Sequence, residues 1–329
     1  MTERDDRIDN VKGSLMLLVI FGHMIEPLLN YNPALSRVYN FIYLFHIPAF
    51  VFISGLLSGA ETKDLPEKIV KGLAIPLVFF SLIYEVPDLI QRSDLSGYIK
   101  SLTPNWILWF LVSLIAWRII TPVLIKFRFI LFWAILFSIL VSLIKVDGYL
   151  YGAFRTIIFY PFYLLGVTLS SKKGSIKEVN LNKFIYVAAV LLMLTVAMLD
   201  LPFSRYLLYC VAPFNAFGYS DETGMLQRAE YYVFSALLVI SFSIFASAIK
   251  LVGVIGRNSI FVYLWHGLIV KYFLWVYVVS IKMTTSQALL AAFFASVILG
   301  YSLSSRPVVT LTNRMLDMTY RIFIKKIKD

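Results

Sequence analysis

Arg7-Ile8-Asp9-Asn10-Val11-Lys12-Gly13 runs without a break into Ser14-Leu15-Met16-Leu17-Leu18-Val19-Ile20-Phe21, and that apolar run closes on Gly22-His23-Met24-Ile25-Glu26-Pro27. A charged head thus leads into a hydrophobic segment that ends on two ionisable side chains. From Lys12 to His23 the rise of a helix is about 16 Å, roughly half of a bilayer's hydrocarbon core. His23 and Glu26, three residues apart, share one helix face. Ionisable groups at that depth are costly in lipid, so they point to a lined cavity or a buried pair. No small-x-small cleavage pattern follows the run, which is expected to stay in place as a first span and not to act as a removable leader.

Composition extends this reading to the whole chain. Of 329 residues, 60% are hydrophobic, 16% aromatic and only 15% charged. A soluble domain is nearer 45–50% apolar and about 25% charged, so this chain is expected to be an all-α polytopic membrane protein. Ten apolar segments are long enough to span, near Gly13–Leu29, Val38–Leu57, Ile69–Ile90, Trp106–Ile125, Phe129–Ile144, Tyr149–Leu169, Phe184–Leu199, Tyr231–Ile249, Ser259–Val279 and Thr285–Ser304. The fifth, seventh and ninth have the least definite extents. An even count puts both termini on one side. With that side as the cytoplasm, twenty lysines and arginines fall inside, seven outside and three within spans. The positive-inside rule therefore favours cytoplasmic termini, and it explains the net charge of +11 without nucleic acid as a partner. Residues 1–329 read as a single integral membrane domain, with no internal repeat. Cys210 is the only cysteine, so no intrachain disulfide can form. The connection Asp200–Glu230, rich in aromatics, reads as a lid or binding loop. The basic tail from Arg321 to Lys328 is expected to meet anionic headgroups.

The chain has three histidines, His23, His46 and His266. All three fall near mid-membrane, and each has a small residue close by: Gly22, Ser54-Gly55 and Gly267. A lone membrane histidine is as readily a hydrogen bond between helices as a functional group. Three at matched depth favour a shared polar cavity. Arg155, in the outer half of the sixth span, either snorkels or serves that cavity. Glu26 either orients His23 or faces water. Arg118 and Lys271 read first as snorkelling residues, with contact to an anionic donor or acceptor as the other reading. Glu85 and Asp88 are expected to face water or Arg92. Trp106, Trp109 and Trp117 suit interfacial belts. No Walker loop, dinucleotide fingerprint or zinc-ligand spacing is present, so no metal is expected.

Several stretches together resemble the acyltransferase family three of integral membrane O-acyltransferases. They are Arg7-x-Asp9-x-x-Lys12-Gly13 followed by His23, and Phe45-His46-Ile47-Pro48-x-Phe50-x-Phe52-x-Ser54-Gly55. Trp106-x-x-Trp109-Phe110-Leu111, Arg155 to Tyr160-Pro161-Phe162-x-x-x-Gly166, and Gly256-Arg257-Asn258-Ser259 to Tyr263-x-x-His266 complete the set. The second stretch looks most like the fucose 4-O-acetylase branch. The resemblance implies transfer of an acyl group, commonly acetyl from cytoplasmic acetyl-CoA, to a sugar hydroxyl of a surface glycan or its lipid-linked precursor. It implies a bacterial cytoplasmic membrane. Much of that family carries arginine where this chain has Lys12, which keeps the charge but loses bidentate phosphate geometry.

On this reading His23 is the base, oriented by Glu26, and Arg155 and His46 contact the oxyanion or the acceptor. Arg7, Lys12 and Arg118 hold the CoA phosphates. A transporter is the rival class, since mid-membrane ionisable groups also mark substrate paths, although many transporters show an inverted repeat. A membrane scaffold is the third reading, and it leaves the buried histidines without a role. The acceptor sugar, the acyl chain and the oligomeric state are not encoded in any motif.

Overall fold

The computed structural model describes residues 5–59, 63–92, 103–146, 149–170 and 181–324. Among them no strand occurs, and the chain folds as an all-α membrane protein. The helices are α1 (Asp6–Ile25), α2 (Leu35–Ser58), α3 (Leu65–Ile90), α4 (Trp109–Leu124), α5 (Ile130–Leu140), α6 (Ala153–Ser170), α7 (Lys183–Met198), α8 (Arg205–Tyr209), α9 (Asp221–Ser247), α10 (Gly253–Arg257), α11 (Ser259–Ser280), α12 (Thr285–Leu303) and α13 (Arg306–Phe323). Eight of these segments are long and apolar enough to cross a membrane. Two further apolar helices, Ile130–Leu143 and Lys183–Met198, are shorter and coincide with the fifth and seventh expected spans.

The opening stretch sits at the centre. α1 packs against α2, α9, α10, α11 and α12. Its charged head is capped by Asp5, whose carboxylate accepts from the Arg7 amide, and Asn10 donates to the Ser247 carbonyl at 2.9 Å. A Cβ on Gly13 would fall on the Val252 carbonyl oxygen, and one on Gly256 would fall on the Asp9 carbonyl oxygen. Two of the quoted stretches therefore meet backbone to backbone, which only glycine permits.

Two prolines position the site by withholding an N–H. Pro27 cannot donate to the His23 carbonyl four residues back. α1 ends there in a short 3₁₀ turn, and the Trp275 indole donates to that carbonyl at 2.8 Å. Pro48 likewise frees the Leu44 carbonyl, which the Ser235 hydroxyl takes. Each lost helical bond is replaced by one to another helix, so both histidine-bearing helices are tied to their neighbours.

The structure corrects the sequence reading in several places. α9 begins at Asp221, ten residues before the expected span start, because Ser220 caps it and Asp221 and Glu222 suit its first turn. Hydropathy does not register such polar turns. α13 was not expected; its exposed Leu311, Met318 and Ile322 share one stripe. Of the basic tail, Lys325, Lys326 and Lys328 lie outside the described residues. Glu85 and Asp88 do not face water: both are buried, Glu85 accepting from Asn105 at 2.6 Å and Asp88 from Tyr272 at 3.2 Å. The Arg92 side chain lies outside the described residues. Lys271 donates to the Tyr272 hydroxyl at 3.1 Å, within the same cluster.

Candidate functional site

A cavity of about 680 Å³ runs past the end of α1. Lys12 and Arg118 stand at one end, with Ser54 and Gly72. His23, His46 and His266 line its middle. Glu26, Arg155, Tyr149 and Tyr209 line the other end. The three histidines expected to share a cavity do so. They come from α1, α2 and α11, the last more than two hundred residues along the chain from the other two.

His23 is held on several sides. Its Nδ1 lies 3.1 Å from Glu26 Oε2, one turn on, and 3.5 Å from the Tyr43 hydroxyl. Its ring packs against Trp106, with centroids 4.5 Å apart, and stacks on His266 at 5.8 Å. A carboxylate accepts but cannot donate, so Nδ1 carries a hydrogen, and in the neutral ring Nε2 is the acceptor. A neutral His23 held this way can accept a proton at Nε2.

His46 and His266 differ from it in one respect. His46 Nδ1 lies 2.8 Å from the Ile42 carbonyl, and His266 Nδ1 lies 3.0 Å from the Val262 carbonyl. Each Nδ1 must therefore be the donor, which leaves Nε2 a bare acceptor. A neutral His46 fixed this way can accept from a hydroxyl but cannot donate to an oxyanion. Of the two contacts expected of His46, only the acceptor contact fits this tautomer. Buried His266 has no hydrogen-bond partner for Nε2 among the described residues.

Arg155 projects from α6 into the cavity wall rather than to the lipid interface. Its Nε donates to the Tyr209 carbonyl at 3.0 Å, and its guanidinium lies 4.7 Å from the Trp109 ring centroid. That leaves the remaining guanidinium N–H groups as donors for the cavity. Tyr209 links both halves of this end. Its hydroxyl donates to Glu26 Oε1 at 3.4 Å and pairs with the Tyr39 hydroxyl at 2.8 Å. Burial, and then the Glu26 carboxylate, push the Tyr209 hydroxyl well up from its ordinary value, so it stays protonated.

At the basic end, Lys12 Nζ lies 3.6 Å from Asp9 Oδ1, and Arg118 keeps a buried Nε without a hydrogen-bond partner among the described residues. Arg7 is not on the cavity wall. It pairs with Asp5 at 3.5 Å near the start of α1. The tryptophans are not belt residues: Trp106 and Trp109 line the cavity, and Trp117 is fully buried, donating to the Thr156 carbonyl at 2.7 Å. Sequence reasoning missed Tyr43 and Tyr209. Tyr43 precedes His46 by three residues and so shares its face, a legible signal. Tyr209 carried no signal beyond the aromatic content of its loop.

This site can be set beside known proteins. A family model described as an acyltransferase domain matches residues 5–305. The chain belongs to the acyltransferase-3 family. That family's acyltransferase domain accounts for most of its length. Nodulation protein NolL of Sinorhizobium fredii is 28% identical over 180 residues, covering 50% of this chain and 48% of the relative. The NolL protein of Mesorhizobium japonicum is 28% identical over 186 residues, covering 52% and 49%. The chain spans about half the length of these curated relatives. No solved structure matches it.

Proposed function

We propose that this acyltransferase moves an acetyl or similar acyl group from cytoplasmic acetyl-CoA to a hydroxyl of a surface glycan or its lipid-linked precursor, in a bacterial cytoplasmic membrane. It would act as one domain over 1–329, within the fucose 4-O-acetylase-like branch. The observation that carries the reading is the single cavity with cations at one end, an oriented His23–Glu26 pair midway and a guanidinium donor beyond it. Comparing ester-linked acetate on the surface glycan with and without the gene tests it. Unchanged acetate would overturn it, and accumulation of unexported glycan would favour a transporter.

In the proposed reaction, the acceptor hydroxyl gives its proton to His23 Nε2 as its oxygen attacks the thioester carbon. The tetrahedral oxyanion takes hydrogen bonds from Arg155 and the Tyr43 hydroxyl. The C–S bond then breaks, and the CoA thiolate recovers the proton from His23. Glu26 stabilises the imidazolium in between. Lys12 and Arg118 hold the CoA phosphates within the cavity, which leaves Arg7 to its outer mouth.

Lys12→Ala should raise the acetyl-CoA KM by about tenfold, as expected for about 1.4 kcal/mol of lost charge-assisted contact. The acceptor KM should hold and Lys12→Arg should be tolerated. Steady-state kinetics with each substrate varied decides it; an unchanged donor KM removes Lys12 from that role.

The ten-span topology with cytoplasmic termini has its own test. Ser220→Cys should react with an impermeant maleimide on intact cells, whereas Lys250→Cys should react only after permeabilisation. Cys210 is buried and gives little background. Outside labelling of Lys250→Cys would reverse the arrangement.

A further inference from the structure

Cys210 closes α8 and is fully buried. Its Sγ accepts from Nη1 of Arg228 on α9 at 2.9 Å, and lies at the longer distance of 3.5 Å from the Leu207 and Leu208 carbonyl oxygens, where a thiol would donate. Arg228 is itself 0% exposed, and its Nε and Nη2 have no hydrogen-bond partner among the described residues. The Tyr231 ring lies 5.2 Å from the guanidinium, and the Tyr231 hydroxyl and Gln227 Oε1 close by also lack partners. Among the described residues no carboxylate pairs with Arg228.

A guanidinium does not give up its proton in a protein. Burying a cation without a counter-charge is far more costly than burying a neutral thiol. Arg155 is a second guanidinium acting on Cys210. The Glu26 carboxylate on that side is already shared between His23 and Tyr209. Arg228 is therefore a buried cation with no counter-ion among the described residues, and Cys210 is the titratable group hydrogen-bonded to it.

We propose that Cys210 is carried as a thiolate in a buried ion pair with Arg228, and that this pair anchors the segment holding Tyr209 in place. Its thiol proton is released to solvent as the pair forms. Burial pushes the thiol up, against the pull of the Arg228 and Arg155 guanidiniums. A neutral thiol, however, transfers that penalty to Arg228, which has no way to discharge it. Cys210 is not offered as a nucleophile: Tyr209 and Val211 line the cavity and Cys210 does not. Cys210 and Arg228 are positioning residues, because Tyr209 bonds both Glu26 and Arg155. Only this consequence rests on the proposed site; the charge state stands apart from it.

A single cysteine makes the test direct. The S–H stretching band is recorded by Raman spectroscopy on the purified full chain at neutral pH in thiol-free buffer, with Cys210→Ser as the blank. The expected spectrum has no S–H band, and Arg228→Leu restores one. A band of full one-thiol intensity in the unaltered protein overturns the proposal, and that spectrum suffices even where Arg228→Leu fails to fold. Cys210→Asp, which keeps the negative charge, should melt closer to the unaltered protein than Cys210→Ser. The opposite order would also overturn the pair. Failure of the acyl-transfer reading would appear as absent acetylation, with this spectrum unchanged.

Discussion

His23→Ala should lower acyl transfer by two to four orders of magnitude while the protein inserts at normal levels. The size follows from what a positioned general base contributes, about 10² to 10⁴ in rate. Normal insertion follows from the site: the ring faces a cavity, and the helix holding it is fixed by the Trp275 bond to the His23 backbone carbonyl, which alanine keeps. Glu26→Gln should lose less, because an amide oxygen still accepts from Nδ1–H but no longer stabilises the imidazolium. His266→Phe separates two roles of its ring. It preserves a face for His23 to stack on and removes the partnerless Nε2. Rates are to be measured on purified protein with acetyl-CoA and a glycan acceptor. Near-normal turnover by His23→Ala would end the mechanism and move the chemistry to His46 or Arg155.

The opening stretch revealed the centre of the fold because its signals are local. A charged head, an apolar run and a His–Glu pair one turn apart can be read from spacing alone. Lys12, His23 and Glu26 were picked out in this way, His46, Arg118 and Arg155 from their depth in apolar segments and the family resemblance, and the structure brings all six to one cavity. What was not legible depended on contacts between distant segments. Glu85 was read as facing water or Arg92 because nothing near it in sequence reveals Asn105, twenty residues on. Trp106 looked like a belt residue because its position in a span says nothing of the His23 ring it covers. The start of α9 was missed for the opposite reason: its cap is local, but hydropathy does not weigh caps. The tautomers of His46 and His266 required the carbonyls one turn back, and these follow only once the helix is known to continue through both histidines.

Gly55→Val should remove most of the folded protein, through a contact in which neither side can yield. A Cβ at Gly55 would fall on the carbonyl oxygen of Tyr163, and one at Gly166 would fall on the carbonyl oxygen of Phe52. α2 and α6 thus touch backbone to backbone at two reciprocal points, and a flexible side chain cannot swing aside. Extra atoms in a packed core cost about 1–3 kcal/mol where neighbours can move. Here two helices must separate, so the cost should reach or exceed the top of that range. The separation would also open the cavity, since α2 carries His46, Phe50 and Ser54 and α6 carries Arg155 and Phe159 on its wall. Gly72 provides the control, because a Cβ there meets nothing within 4 Å. Gly72→Ala should therefore melt near the unaltered protein in detergent, while Gly55→Val and Gly166→Val should yield little monodisperse protein. A Gly55→Val protein that purifies normally and melts within a degree or two of the unaltered chain would show that α2 and α6 do not make this contact.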